Sequence, residues 1–300
     1  MALIPFDDRD GSIWLDGALV PWREAKVHVL SHGLHYASAV FEGERAYGGT
    51  IFRLDAHTKR LIESGALLDF KLPFTAEQIM AACNQVVAAN GEPDAYVRPI
   101  AWRGPEQLSV SAEATKIHLA IASWPWPNLF GDDRMKGVRL DVADWKRPHP
   151  ETAPTAAKAA GLYMIGTMAK HKAAQRGFED AILMDWKGDV AEGTGENVFF
   201  VMDGELHTPT PICFLNGITR RTVISLAKHQ QIKVVERTIA RAEMAKATEV
   251  FVTGTAAEIT PVGAIGDLTF TPGRITETVM RDYDELIHQS PAQVNQRAPI

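Results

Sequence analysis

The chain has 300 residues, 46% hydrophobic and 23% charged, a balance that suits a soluble globular protein of one large domain or two small ones. A net charge of −6 without a basic block argues against a nucleic-acid partner, and the apolar runs are far too short to span a membrane. The N-terminal segment lacks the pattern of a secretory signal, and Cys83 and Cys213 have neither CxxC nor histidine spacing, so a cytoplasmic protein without a disulfide framework or a zinc site is expected.

Ile13–Leu15 and Ala18–Val20 flank Asp16-Gly17, the signal of a two-residue hairpin, and Arg45–Tyr47 with Thr50–Phe52 repeats the pattern around Gly48-Gly49. Asp55 is expected to cap a helix that carries Leu61, Ile62 and Leu68 on its apolar side. Thr75 with Gln78 predicts a capping box, opening a helix marked by Ile79, Cys83, Val86 and Val87 and ended by Gly91. Tyr96–Trp102 and Ile117–Ala122 read as strands. Residues 1–123 are therefore expected to form a small N-terminal α+β domain, with helices on one side of a mainly antiparallel sheet.

The Trp- and Pro-rich stretch over 124–135 reads as an interdomain loop. A larger C-terminal domain over 136–300 follows. It opens with a strand at Val138–Trp145 and a Pro-rich loop, then a helix with Leu162, Ile165, Met168 and Ala169 that stops at Gly177. Strands are predicted at Ala181–Asp185, Val198–Met202, Val234–Glu236 and Glu249–Thr253, with helices from Ile218 and near Thr276–Ile287. The last dozen residues are polar and are expected to be loose.

The stretch from Thr155 to Asn197 concentrates the chemistry. Lys158 sits among four alanines at what reads as a helix start, Tyr163 follows, and the acidic turn Glu192-Gly-Thr-Gly-Glu196-Asn197 runs into an apolar strand. An amine, a phenol and a carboxylate suit pyridoxal phosphate chemistry: a lysine to hold the aldehyde and move a proton, an anion for the ring nitrogen, a donor for the ring hydroxyl and a phosphate cradle. Each signal alone has an ordinary reading, since a lysine at a helix start is usually solvated and a Gly-rich turn usually lies on the surface. Either Glu192 or Glu196 would serve the ring nitrogen. Ile218 and Thr219 open a helix and so offer backbone N–H groups to an anion, and the small residues after Thr253 admit a ligand. Arg60 offers a bidentate cationic contact. Tyr36, Phe41, Tyr96, Arg98 and Trp126 are candidate pocket-wall residues; an arginine between Val97 and Pro99 needs an anionic partner if it is buried.

Taken together, the blocks KVHVLSHGLHYASAVFEGERAY, FRLDAHTKRL, AYVRP, PTAAKAAGLY, AEGTGENVFF, NGITRRTV and EVFVTGTAAEITPV resemble the class IV aminotransferases, in particular their branched-chain branch. The resemblance runs from about Ile13 to Leu286. It implies the two-domain fold-type IV architecture (α+β / α/β), pyridoxal 5'-phosphate as cofactor, and transamination of leucine, isoleucine and valine with 2-oxoglutarate. It also implies roles. Lys158 would hold the aldehyde, Glu192 rather than Glu196 would face the ring nitrogen, and Tyr163 would meet the ring hydroxyl. Arg60, Ile218, Thr219 and Thr255 would hold the phosphate. Thr255 and Ala256 would receive the substrate α-carboxylate, and Tyr36, Phe41, Tyr96 and Arg98 would form the substrate wall. The resemblance further implies a homodimer or higher assembly acting on small amino acids and 2-oxo acids. Two segments depart from the family text: the linker near Leu129, where the aromatics are displaced to Trp124, Trp126 and Phe130, and the loop from Trp102 to Val110. Both bear on substrate choice, so a class IV relative acting on D-amino acids or (R)-amines, or an aminodeoxychorismate lyase, is the alternative.

Overall fold

The computed structural model describes residues 4–126 and 131–300, so Leu129 and Phe130 lie outside the described residues. The chain divides into two compact units, Met1–Pro127 with Ala157–Gly161, and Asn128–Ala156 with Leu162–Ile300. The short lysine segment, sequentially inside the second half, thus belongs to the first unit.

In the first unit, β1 (Ser12–Leu15) and β2 (Ala18–Pro21) pair as an antiparallel hairpin. Its turn residues Asp16 and Gly17 both take positive φ, the handedness that matches strand twist. Helix α1 (His32–Tyr36), which the sequence pattern does not predict, precedes β3 (Ala39–Phe41), β4 (Glu44–Tyr47) and β5 (Thr50–Ile51). Helix α2 (Leu54–Leu67) starts one residue before Asp55, because Arg53 takes a left-handed conformation at the N-cap. Asp55 therefore lies in the first turn, where its charge still suits the helix dipole. Helix α3 (Ala76–Asn90) has the expected box: Gln78 N–H donates to Thr75 Oγ1, Thr75 N–H donates to Gln78 Oε1, and Gly91 closes the helix in the left-handed region. Strands β6 (Ala95–Arg103) and β7 (Ile117–Pro125) complete an antiparallel sheet in the order β2-β1-β7-β6-β4-β5, with β3 also on β6. Leu61, Ile79, Cys83, Val86, Val97 and Ile121 are fully buried where α2 and α3 cover this sheet.

The second unit begins with β8 (Val138–Lys146) and helix α4 (Tyr163–Gln175), which ends as Gly177 turns left-handed. Next come β9 (Asp180–Met184), β10 (Val190–Gly193), β11 (Asn197–Met202) and β12 (Glu205–Pro209). Helix α5 (Ile218–His229), β13 (Val234–Arg237), β14 (Glu249–Gly254), β15 (Glu258–Ile265), β16 (Leu268–Thr269) and α6 (Arg274–Leu286) follow. The strands form one mixed sheet, β10-β9-β8-β15-β14-β11-β12-β13, with β16 on β15. β8 runs parallel to both β9 and β15, and β12 runs parallel to β13. The sequence pattern does not mark β10, β12 and β15. It also leaves the chain end loose, whereas Pro291–Arg297 forms α7 behind a capping box of Ser290 and Gln293, burying Val294 and Ala298.

Glu44 is a fully buried carboxyl, and burial first, then the neighbouring charge of Glu42, pushes its pKa well above the usual carboxylate range. Folding therefore favours its protonated form, and its contribution to stability declines as pH rises past the ordinary glutamate value. Glu44→Gln, which cannot ionise, is expected to be stabilising relative to wild type by a margin that widens between pH 5 and pH 8, on the order of 1 kcal/mol per pH unit at most. Thermal unfolding followed at both pH values checks this; an equal margin at the two would contradict it.

Candidate active site

Lys158 is not on a helix. Its neighbour Ala159 bridges Val40 of β3, the Lys158 N–H donates to Ser64 Oγ at 3.0 Å, and the Lys158 C=O accepts from Phe41 N–H at 3.1 Å. The backbone is thus pinned on both sides, while Nζ lies 4.8 Å from the centre of the Phe41 ring. α4 begins five residues later, after a short 3-10 turn at Ala160–Leu162, so the helix start predicted at Lys158 is displaced to Tyr163. The pairing with β3 is a tertiary contact that local helical spacing cannot show.

Around this lysine the first unit holds a buried charge cluster. Arg60 donates through Nε to Glu42 Oε1 at 2.6 Å and through Nη2 to Glu42 Oε2 at 2.7 Å. His57 Nδ1 lies 2.7 Å from the same Oε2. Burial alone would raise the Glu42 carboxyl, but Arg60 and then His57 outweigh it and hold Glu42 far below the usual range. His57 moves down as well: burial lowers it, Glu42 opposes, and the positive charges of Arg60 and Lys158 push it down further. A neutral His57 next to an ionised carboxylate must carry its proton on Nδ1 and donate it. Arg60, read from sequence as a bidentate cation for a phosphate, is therefore already oriented by Glu42.

The wall residues lie on the same unit. Tyr96 and Arg98 stand on β6, and Arg98 Nη2 donates to Tyr96 OH at 2.9 Å. The Arg98 guanidinium sits 4.7 Å from the Phe41 ring centre and 5.1 Å from that of Tyr96, while Nε is buried without a hydrogen-bond partner among the described residues. Trp124 and Trp126 rings pack on Tyr96, each at 5.0 Å. Gly43 is what admits the phenol, since a Cβ there would overlap Tyr96 OH. Tyr36 stacks on His32 at 4.6 Å and is exposed.

In the second unit Glu192 lies on β10, not in the turn; the turn is Thr194–Glu196. The register of β10 against β9 shifts between Val190 and Glu192, an irregularity of the kind that re-aims a side chain. Thr194 Oγ1 donates to Asp180 Oδ1 at 2.6 Å and Gly193 N–H to Glu196 C=O at 2.6 Å, which together fix the turn. Arg147 Nε stands 3.3 Å from Glu192 Oε1. Ile218 and Thr219 are the first two residues of α5, whose N-cap Gly217 supplies no side-chain cap. Asn197 sets that helix start: its Oδ1 accepts from Gly217 N–H at 3.1 Å and its Nδ2 donates to Leu215 C=O at 3.0 Å. A Cβ on Gly217 would overlap Asn197 Oδ1. Thr255 and Ala256 occupy the turn from β14 to β15, next to Thr253, whose Oγ1 is buried without a partner among the described residues. Tyr163 is the first residue of α4.

Glu42, His57, Ser64, Arg147 and Asn197 escape the sequence reading. The signal for Glu42 is the pair of acids in Phe41-Glu-Gly-Glu44 next to an apolar strand; the partners of Arg147 and Asn197 are too distant along the chain to leave one.

The profile of the family Amino-transferase class IV matches residues 39–265, and the chain belongs to that family. Its relatives narrow the branch. A branched-chain-amino-acid aminotransferase of Pseudomonas aeruginosa is 40% identical over 288 residues, covering 93% of this chain and 94% of its own. The branched-chain aminotransferase of the thermophilic archaeon Thermoproteus uzoniensis, with norvaline, superposes with a TM-score of 0.91 at 38% identity, over 96% of this chain and 98% of that one. The branched-chain amino acid aminotransferase of Thermobaculum terrenum in its PLP-form gives 0.88 at 32% identity, over 96% of this chain and 97% of that one.

Asn197→Ala leaves the Gly217 N–H and the Leu215 C=O without their partner at the start of α5. A loss of about 1–3 kcal/mol in unfolding free energy is expected, measurable by denaturant titration, with a change below ~0.5 kcal/mol contradicting the role.

Proposed function

We propose that the protein is a branched-chain amino acid aminotransferase that uses pyridoxal 5'-phosphate and takes glutamate and 2-oxoglutarate as the second pair. The donor set present fits that cofactor: a lysine amine held by its backbone, an oriented arginine, a helix start without a side-chain cap, the Thr253 hydroxyl two residues before Thr255 with no partner among the described residues, and a carboxylate on an irregular strand. Lys158 would bond the aldehyde, Arg60, Ile218, Thr219 and Thr255 would hold the phosphate, Tyr163 the ring hydroxyl, and Glu192 the ring nitrogen. When bound, the cofactor supplies an aldehyde that links to amines and a protonated ring that accepts electron density from the substrate α-carbon.

The remaining chemistry belongs to the chain. Glu192 keeps a proton on the ring nitrogen by its negative charge. Lys158 Nζ takes the α-proton and later returns one, acting as base and then acid. Thr255 and Ala256 would receive the α-carboxylate and so hold the substrate in place for the proton transfer.

The observation that carries the substrate reading is the wall of Phe41, Tyr96 and Arg98. Aromatic faces receive an aliphatic side chain, and one guanidinium whose buried Nε has no partner among the described residues receives the side-chain carboxylate of glutamate. A pocket serving both half-reactions needs both features. An assembly of at least two copies is part of this reading, supported by the exposed apolar side chains Val27, Val29, Leu30, Leu34 and Tyr36 in one segment. A cytoplasmic setting agrees with two buried free thiols, Cys83 and Cys213.

Lys158→Ala is expected to abolish turnover in an assay of L-leucine, L-isoleucine and L-valine with 2-oxoglutarate; wild-type rates in that variant would sink the assignment of the lysine. The same assay extended to D-alanine and (R)-1-phenylethylamine tests the substrate class, and exclusive use of either of those two would overturn it. Arg98→Met should raise KM for 2-oxoglutarate and glutamate by about tenfold or more while moving that for L-leucine by less than about threefold.

A further inference from the structure

Arg147 follows β8 directly, and its side chain is only 9% exposed. Its backbone N–H donates to Met184 C=O at 2.8 Å, which anchors the residue on β9. The guanidinium then reaches three segments far apart in sequence. Nε donates to Cys213 C=O at 3.2 Å and stands 3.3 Å from Glu192 Oε1, and Nη1 donates to Leu162 C=O at 3.4 Å. Leu162 immediately precedes Tyr163, and Cys213 lies on the approach to α5. A buried guanidinium keeps its charge, so it requires an anion close by, and Glu192 is the carboxylate it meets. The same contact neutralises part of the charge that Glu192 has to offer elsewhere.

We propose that Arg147 is a positioning residue for Glu192: it fixes the direction of that carboxylate and, by sharing its charge, sets how strongly Glu192 holds a proton on the ring nitrogen of bound cofactor. This rests on Glu192 facing that nitrogen. With the guanidinium beside it, the carboxylate would meet the ring nitrogen with part of its charge already neutralised. The Cys213 and Leu162 carbonyls hold the guanidinium plane in place, so that its position does not depend on Glu192 alone.

A double-mutant cycle separates this role from that of a mere brace. Arg147→Met is made in the wild-type and Glu192→Gln backgrounds, and two quantities are measured on each protein. One is the Kd for pyridoxal 5'-phosphate from titration of the apoprotein, and the other is the pH midpoint of the visible absorption of the holoprotein. In the wild-type background Arg147→Met is expected to weaken binding about tenfold and to move the midpoint, whereas with Gln at 192 the same change should alter Kd less than about twofold and leave the midpoint in place. Equal effects in the two backgrounds, or none in either, would overturn the proposal, leaving Arg147 as a brace for the two carbonyls. If Glu192→Gln alone changes neither quantity, it is the assignment of Glu192 that fails. Arg147→Lys, which keeps the charge in a smaller disruption, serves if the methionine variant does not fold: a midpoint close to wild type with weakened binding is expected, and a midpoint displaced equally in both backgrounds contradicts the charge-sharing role.

Discussion

A carboxylate with no solvent exposure, Glu42, is the constraint on which the polar chemistry of the first unit depends. Taking such a charge out of water costs several kcal/mol, and that cost is offset only if its hydrogen-bonding capacity is filled with good geometry. Both of its oxygens are used, one by Arg60 Nε and the other by Arg60 Nη2 and His57 Nδ1. The consequences spread outward. Arg60 is held in one orientation, His57 stays neutral with a defined tautomer, and Glu44, two residues on, has no ion-pair partner of its own among the described residues and keeps its proton. Burial is the first cause of both charge states; the ionised Glu42 adds to it at Glu44, whereas at His57 it works against it and fixes the tautomer instead.

The second unit answers the same problem with long side chains that bridge distant segments. Arg220 is 1% exposed and donates to Asn216 Oδ1, Pro209 C=O and Glu236, so the turn leading into α5, β12 and β13 are held by one residue. Burial lowers its pKa, and Glu236 works against that, keeping the charge in place. Asn197 ties the end of the Gly-rich turn to the start of α5, and Arg147 ties Glu192 to the approach to both α4 and α5. Each of these groups would be costly to bury alone. Satisfied together, they define one arrangement of the loops, which is what a site built on turns requires.

What was legible in the sequence is what short-range physics decides. The Asp16-Gly17 hairpin, the Thr75–Gln78 box and the Gly91 and Gly177 stops depend on neighbours within a few residues, and all appear in the structure. Asp55 misleads because the left-handed turn at Arg53 shifts the helix start, and Lys158 misleads because Val40, far away in sequence, pairs with its neighbour. Strand β10 escapes because its pairing with β9 is irregular, so no alternation of apolar residues marks it. The candidate chemistry was readable only as a set. Lys158, Glu192 and the α5 start each have an ordinary explanation, whereas seven blocks in one order do not. Arg147 and Asn197 were beyond reach for another reason: their roles consist of contacts made across distant stretches of chain, which composition and period do not encode.

The tetrapeptide Phe41-Glu42-Gly43-Glu44 engages two separate sets of side chains within four residues. Glu42 and Glu44 engage the helices. Glu42 does so through His57 and Arg60 on α2, and Glu44 through the Cys83 thiol on α3, which burial and then Glu44 push up. Phe41 and Gly43 engage the other set of side chains, the ring beside Lys158 Nζ and Arg98, and the glycine against Tyr96 OH. A side chain larger than hydrogen at position 43 would displace the Tyr96 phenol, and with it the hydrogen bond that orients Arg98. A change in a buried charge at 42 would instead release Arg60. Adjacent residues therefore control Arg60 and Arg98 by independent contacts. The orientation of Arg98 can change through Tyr96 and Gly43 without disturbing Glu42, so under the roles proposed above the substrate wall and the phosphate-holding arginine could vary separately.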